Sequence, residues 1–226
     1  MAKLLFKSFP VGSAFGVPVR IQGLFVVFFG LCGAYLISQP GPAGGIAPVL
    51  ILGAAFVCVV IHEFGHALVA RRLGVRVIDV TVWPLGGMAR MEDVPVSGGF
   101  EVAIAAAGPL VNLGLAGILV GVGWVLRRAG LGHTEVLELL AGINLLLAGF
   151  NLIPAFPLDG GRLLRGTLAM LIGDRRATRV AVSVGRLLAL ALAGVAAAHA
   201  LHLLIVAAAF LFYAAGREAL EHAEAD

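Results

Sequence analysis

The stretch ILGAAFVCVVIHEFGHALVARR, residues 51–72, decides how this chain is read. Its first eleven residues carry no charge. Three ionisable side chains, His62, Glu63 and His66, then fall within five positions, and the apolar run resumes before ending on Arg71 and Arg72. From Ile46 to Val69 the segment has roughly the 20 apolar residues that cross the hydrocarbon of a bilayer. Ionisable groups inside such a span are costly and mark function by default.

Spacing gives the three residues a chemistry. On a helix, positions 62 and 66 lie one turn apart on one face, so both imidazoles can reach one metal ion. Glu63 projects beside them without needing to ligate. It can take a proton from a water that the metal activates and pass it to a leaving amine. His-Glu-x-x-His on a helix is the pattern of metal-assisted peptide hydrolysis. At ~1.5 Å per residue, His62 lies roughly 13 Å from Arg71, the end of the span, so water needs a cavity to reach it.

The surrounding composition agrees with a lipid solvent. Of 226 residues, 60% are hydrophobic and only 13% charged, and the mean hydropathy is +1.02. A soluble domain of this size is nearer a quarter charged and could not hide so much apolar surface. Cys32 and Cys58 both sit in apolar runs and suggest packing rather than a disulfide framework. Further spans are expected at about Ile21–Ser38, Phe100–Leu126 and Val136–Ile153. The apolar region from Ala177 to Ala215 fits two spans turning at Ala198–His202, or one long span from Leu187 to Ala215; a single helix of that length would overshoot the bilayer core by roughly 40%, so two are favoured. The expected fold is therefore an all-α polytopic membrane protein with about six transmembrane helices, forming one domain over residues 1–226.

Charge sets the orientation. With the N-terminus in the cytoplasm, the cytoplasmic segments hold Lys3, Lys7, Arg20, Arg71, Arg72, Arg76, Arg90, Arg162, Arg165, Arg175, Arg176, Arg179 and Arg217. Only Arg127 and Arg128 fall in external segments, and Arg186 can snorkel from the fifth span. The bias predicts that both termini are cytoplasmic. The net charge of +3 is scattered between spans, which argues against nucleic-acid binding.

A metal hydrolase needs three protein ligands and one open position. His133, His199 and His202 lie toward the external face in this topology, and His222 lies in the terminal tail. Glu101 and Glu138 sit near span ends, where interfacial charges are ordinary. Asp159 stands in NLIPAFPLDGGR, residues 151–162, where Pro154 and Pro157 prevent a regular helix. Irregular backbone at membrane depth is tolerated only where it is buried in protein or lines a cavity. Asp159 is thus either the third ligand or the cap of a helix beginning at Gly160.

HEFGH in one span and a later segment ending PLDGG resemble the site-2 protease family of intramembrane zinc metalloproteases. AAAGPLVN, residues 105–112, resembles that family's third-span segment, and PLGGMARM, residues 84–91, its glycine-bearing loop. The resemblance extends over about residues 15–218. It implies Zn2+ held by His62, His66 and Asp159, with Glu63 catalytic and Asn151 near the substrate carbonyl or its oxyanion. Asn112 is expected to pack, or to hydrogen-bond between spans. No PDZ domain or pair of cystathionine-β-synthase-type modules is expected, so the chain resembles the minimal catalytic form. The implied substrates are single-span membrane proteins such as membrane-tethered regulators, and the implied location is a prokaryotic plasma membrane.

One segment departs from the helical pattern. In residues 75–91, β-branched residues are dense and Pro84–Gly87 supplies a turn, which predicts a short β-hairpin after the second span. Its exposed edge could hold an unwound stretch of substrate as an added strand. Two other readings compete. A membrane metal transporter could use His62, His66 and Asp159 as a transit site, although no inverted repeat is visible. A prenyl-protein processing enzyme would take Glu101 or Glu138 as third ligand in place of Asp159.

Overall fold

A computed structural model describes residues 5–41, 44–84, 86–92, 98–132, 134–199 and 201–224. The chain is mostly helical with one small sheet. In order it forms β1 (Ser8–Ala14), β2 (Val17–Gln22), α1 (Gly23–Ser38), α2 (Ile46–Arg72), β3 (Val77–Trp83), β4 (Gly86–Met91), α3 (Gly98–Arg128), α4 (Glu135–Asn151), α5 (Asp159–Ile172), α6 (Asp174–Ala198) and α7 (His202–Glu224). These segregate into two units. The first comprises Met1–Asp93 with Leu110–Ala148, and the second comprises Val94–Pro109 with Gly149–Asp226.

Among the described residues, three helices, α2, α3 and α6, are long and apolar enough to cross a membrane. Leu50 and Val57 on α2, Ile118 and Trp124 on α3, and Leu187 and Leu190 on α6 are all exposed. Such a spread of bare apolar side chains belongs in lipid rather than water. The first expected span is shorter than its sequence suggested. α1 begins at Gly23 and has 16 residues, roughly 24 Å of rise against a hydrocarbon core of ~30 Å. The C-terminal apolar region divides where expected, with α6 ending at Ala198 and α7 starting at His202. Pro109 lies inside α3 without ending it.

The expected hairpin is present as β3 and β4, whose turn residue Leu85 lies outside the described residues. It belongs to a larger sheet than the sequence indicated. β1 and β2 pair antiparallel, and β2 runs parallel to β3, giving the order β1-β2-β3-β4. Residues 8–14 and 17–22 are therefore strands, and the first expected span, begun at Ile21, overlaps the end of β2. The hydrophobic pattern hid them because β1 is mostly exposed and short strands of mixed polarity carry no strong period.

A buried acid accounts for part of the sheet's register. Asp79 on β3 is 3% exposed. Arg90 Nε on β4 donates to its Oδ1 at 2.8 Å, and Arg90 Nη2 pairs with its Oδ2. Thr81 Oγ1 donates to Asp79 at 3.0 Å, and Arg20 from β2 stands 3.9 Å away. Arg20 is itself held to Ser8 of β1 by bonds of 2.9 and 2.8 Å. One carboxylate thus ties β2, β3 and β4. The hydrogen bonds from Arg90 hold the Asp79 carboxyl below its ordinary value, outweighing the burial that pushes it up. A depressed folded-state value contributes stability that is complete above the unfolded value and is lost as pH falls through the folded one. Asp79→Asn should therefore lower the unfolding temperature at neutral pH, by the ~1–3 kcal/mol of broken buried hydrogen bonds. The gap from wild type should close below about pH 4 in thermal scans.

Candidate active site

The second half of α2 carries a buried apolar cluster of the first unit. Phe64 and Ala67 join Val17 of β2 and Val80 of β3 in one cluster, with Val60, Val77 and Ala89 packed against it. Phe15, in the β1–β2 turn, meets the Phe64 ring edge-on at 6.0 Å. The apolar positions that flank the histidines thereby seat the sheet on the motif-bearing turns of the helix.

On those turns His62 and His66 are 5% and 7% exposed. Their rings lie nearly perpendicular, at 82°, and their Nε2 atoms converge to 3.1 Å. Two nitrogens bound at ~2.0–2.1 Å to one tetrahedral zinc stand about 3.3 Å apart. The imidazole pair therefore fits a shared zinc ion in donor type and in spacing. Cys58, one turn earlier, accepts a hydrogen bond from Nδ2 of the buried Asn144 at 3.2 Å, which links α4 to α2. Asn112, expected to pack or to hydrogen-bond between spans, is fully buried, and neither amide atom finds a partner among the described residues, which is the packing arrangement. The inter-helix bond falls to Asn144, which the sequence did not single out.

Glu63 is half-buried beside the histidines. Its Oε2 accepts the backbone N–H of Ala89 on β4 at 2.9 Å. Gly87, two residues earlier, faces the same side chain. A Cβ there would overlap Glu63 Cγ and stand 3.1 Å from Cδ and 3.2 Å from Oε1. Neither contact was visible in the sequence, where the only signal was a Gly-Gly pair inside a strand, a mark of close backbone approach.

Asp159 belongs to the second unit, as the first residue of α5. The cap position is taken by Leu158, with no side-chain cap hydrogen bond, and Asp159 lies in the first turn. The two glycines after it have a structural cause. A Cβ on Gly160 would overlap the carbonyl oxygens of Leu152 and Ile153, and one on Gly161 would press on Ala155 and Phe156. The non-helical chain before α5 folds back against the helix start, which only glycine permits at that separation. Asn151 is the last residue of α4, in the same unit. The competing acids are committed elsewhere. Glu101 receives Arg165 Nε at 2.8 Å and Nη2 at 2.7 Å, and Glu138 pairs with Arg127 and accepts from Thr134 at 2.9 Å. His199 and His202 flank the α6–α7 turn, and His133 lies outside the described residues.

Residues 50–128 and 126–193 match the model of Peptidase family M50. A zinc metalloprotease of Methanocaldococcus jannaschii is 33% identical over 203 residues, covering 90% of this chain and 58% of that protein. Stage IV sporulation protein FB of Bacillus subtilis is 37% identical over 109 residues, covering 47% of this chain and 36% of that one. The solved structure of the site-2 protease from Methanocaldococcus jannaschii superposes with a TM-score of 0.67 at 31% identity, covering 94% of this chain and 95% of that one. The chain spans about half the length of the curated relatives it matches. None of this similarity favours a transporter, and that reading is set aside.

Proposed function

The chain belongs to peptidase family M50, the family of the site-2 proteases, and from that premise we propose that it is a zinc-dependent endopeptidase cutting peptide bonds within or near the transmembrane segments of membrane proteins. The observation that carries the reading is the buried His62–His66 pair with converging Nε2 atoms and a half-buried carboxylate at the intervening Glu63. A transit site needs no such base.

His62, His66 and Asp159 hold the zinc in this proposal. Asp159 supplies the third donor from a segment where backbone irregularity and paired glycines set a carboxylate at a helix start. When bound, zinc supplies Lewis acidity that polarises the scissile carbonyl and makes water more acidic. Glu63 takes the proton of the attacking water on Oε1, the oxygen that Ala89 does not hold, and delivers it to the departing amine nitrogen. Asn151 donates its side-chain N–H to the substrate carbonyl oxygen as negative charge builds there.

Substrate helices must unwind first, because a carbonyl inside a regular helix is hydrogen-bonded and shielded. β4 ends the sheet order, and its outer edge could pair with the unwound stretch. Prolines along that edge should impair cleavage and leave metal content unchanged. Unimpaired cleavage would remove the sheet edge from the mechanism.

The wider setting is part of the same proposal. The 226 residues act as one membrane domain with about six spans, α1, α4 and α7 adding to the three long apolar helices, and both termini lie in the cytoplasm of a prokaryotic plasma membrane. The substrates are single-span proteins such as membrane-tethered regulators. The test is a membrane-proteome comparison of cells carrying wild type or Glu63→Gln. Single-span proteins should accumulate uncut in the variant, and indistinguishable proteomes would overturn the reading.

A further inference from the structure

The strand proposed to hold substrate also touches the proposed base, which places two functions on one short segment. Ala89 pairs with Val80 and Gly87 with Val82 across the β3–β4 ladder. In an antiparallel pair, residues two apart direct their N–H groups to the same side. Ala89 spends its N–H on Glu63 Oε2, so Gly87 and Ala89 form the outward-facing positions of β4. The Glu63 methylenes cross the strand at Gly87, where the absent side chain leaves room, and its carboxylate ends at the Ala89 N–H. A free glutamate side chain has many rotamers. One steric channel and one directed donor reduce these and leave Oε1 as the oxygen available to water.

We propose that Gly87 and Ala89 are positioning residues for Glu63, so that the sheet sets the placement of the base as well as receiving substrate. The inference rests on the protease reading above. It sharpens the part of β4: the N–H of Ala89 belongs to the enzyme's own glutamate, and substrate pairing must use the edge on either side of it.

The experiment takes the full chain loaded with zinc in detergent micelles, with a single-span peptide as substrate. Gly87→Ala fills the space under Glu63. Ala89→Pro deletes the N–H that faces away from β3 and leaves the ladder donors in place. Both variants should retain zinc at the wild-type ratio and keep KM within about threefold, while kcat falls roughly 10²-fold, the scale of a catalytic group misplaced by about 1 Å. An unchanged kcat, or a loss carried entirely by KM, would overturn the proposal, since a strand that only holds substrate gives that pattern. Amide hydrogen exchange supplies a readout independent of activity. In Glu63→Ala the Ala89 amide should exchange about tenfold faster, while Met88 and Arg90, whose N–H groups face β3, keep their protection. Unchanged Ala89 protection would also overturn it. If wild type cuts no substrate, the protease reading fails by itself, and the exchange result still decides whether Glu63 is held by β4.

Discussion

Glu63→Gln is expected to reduce peptide hydrolysis by about 10²–10⁴-fold, the range a positioned general base contributes, and to leave zinc bound. The glutamine side chain matches glutamate in size, and its carbonyl oxygen can still accept the Ala89 N–H that Glu63 Oε2 accepts at 2.9 Å. The space at Gly87 is equally suited to both. The substitution therefore removes basicity with little change of shape. His62 and His66, buried one turn apart, keep both ring nitrogens aimed together. Metal content measured by mass spectrometry beside single-turnover cleavage separates the two properties. Substantial residual hydrolysis in the variant would refute the role of Glu63 as base.

Asp159→Ala carries the second large effect. With one of three donors gone, zinc affinity should drop by more than the ~10–100-fold that loss of even an outer-sphere partner costs, and hydrolysis should fall to background. His62→Ala should do the same, which makes it the reference for a lost ligand. A variant lacking Asp159 that kept its zinc would move the third ligand to another acid. Glu101 and Glu138 are poor substitutes, since Arg165 already engages the first at 2.8 and 2.7 Å and Arg127 pairs with the second. The contrast with Glu63→Gln is what gives the pair of experiments its force: one variant loses chemistry with metal retained, and the other loses both.

Local patterns were legible in the sequence because each is set by neighbours along the chain. The spacing of His62 and His66 fixed a common helix face whatever else the chain did, and the structure brings their nitrogens to 3.1 Å. The bounds of α2, the break between α6 and α7, and the hairpin of β3 and β4 followed from runs, turns and β-branched clusters. The motif HEFGH with PLDGG was enough to suggest the family. The reason for the glycines in DGG was not legible, because it is the return of residues 152–156 onto the start of α5 that leaves no space for a Cβ.

Where the reading fell short, the deciding partner was remote in sequence. β1 and β2 carry no local signal, since nothing within residues 8–22 reveals that β2 will run parallel to β3 some sixty positions later. Asp79 read as one polar residue in a strand of mixed polarity. Its buried state depends on Arg90 across the hairpin and Arg20 from β2. The sequence by itself determined that HEFGH is a turn of apolar helix with both imidazoles on one face, since helical periodicity is local. Only the tertiary structure decided how Glu63 is held. The Ala89 amide and the gap at Gly87 meet Glu63 across 24–26 positions of chain, and no local pattern encodes a contact made by folding a strand back onto a helix.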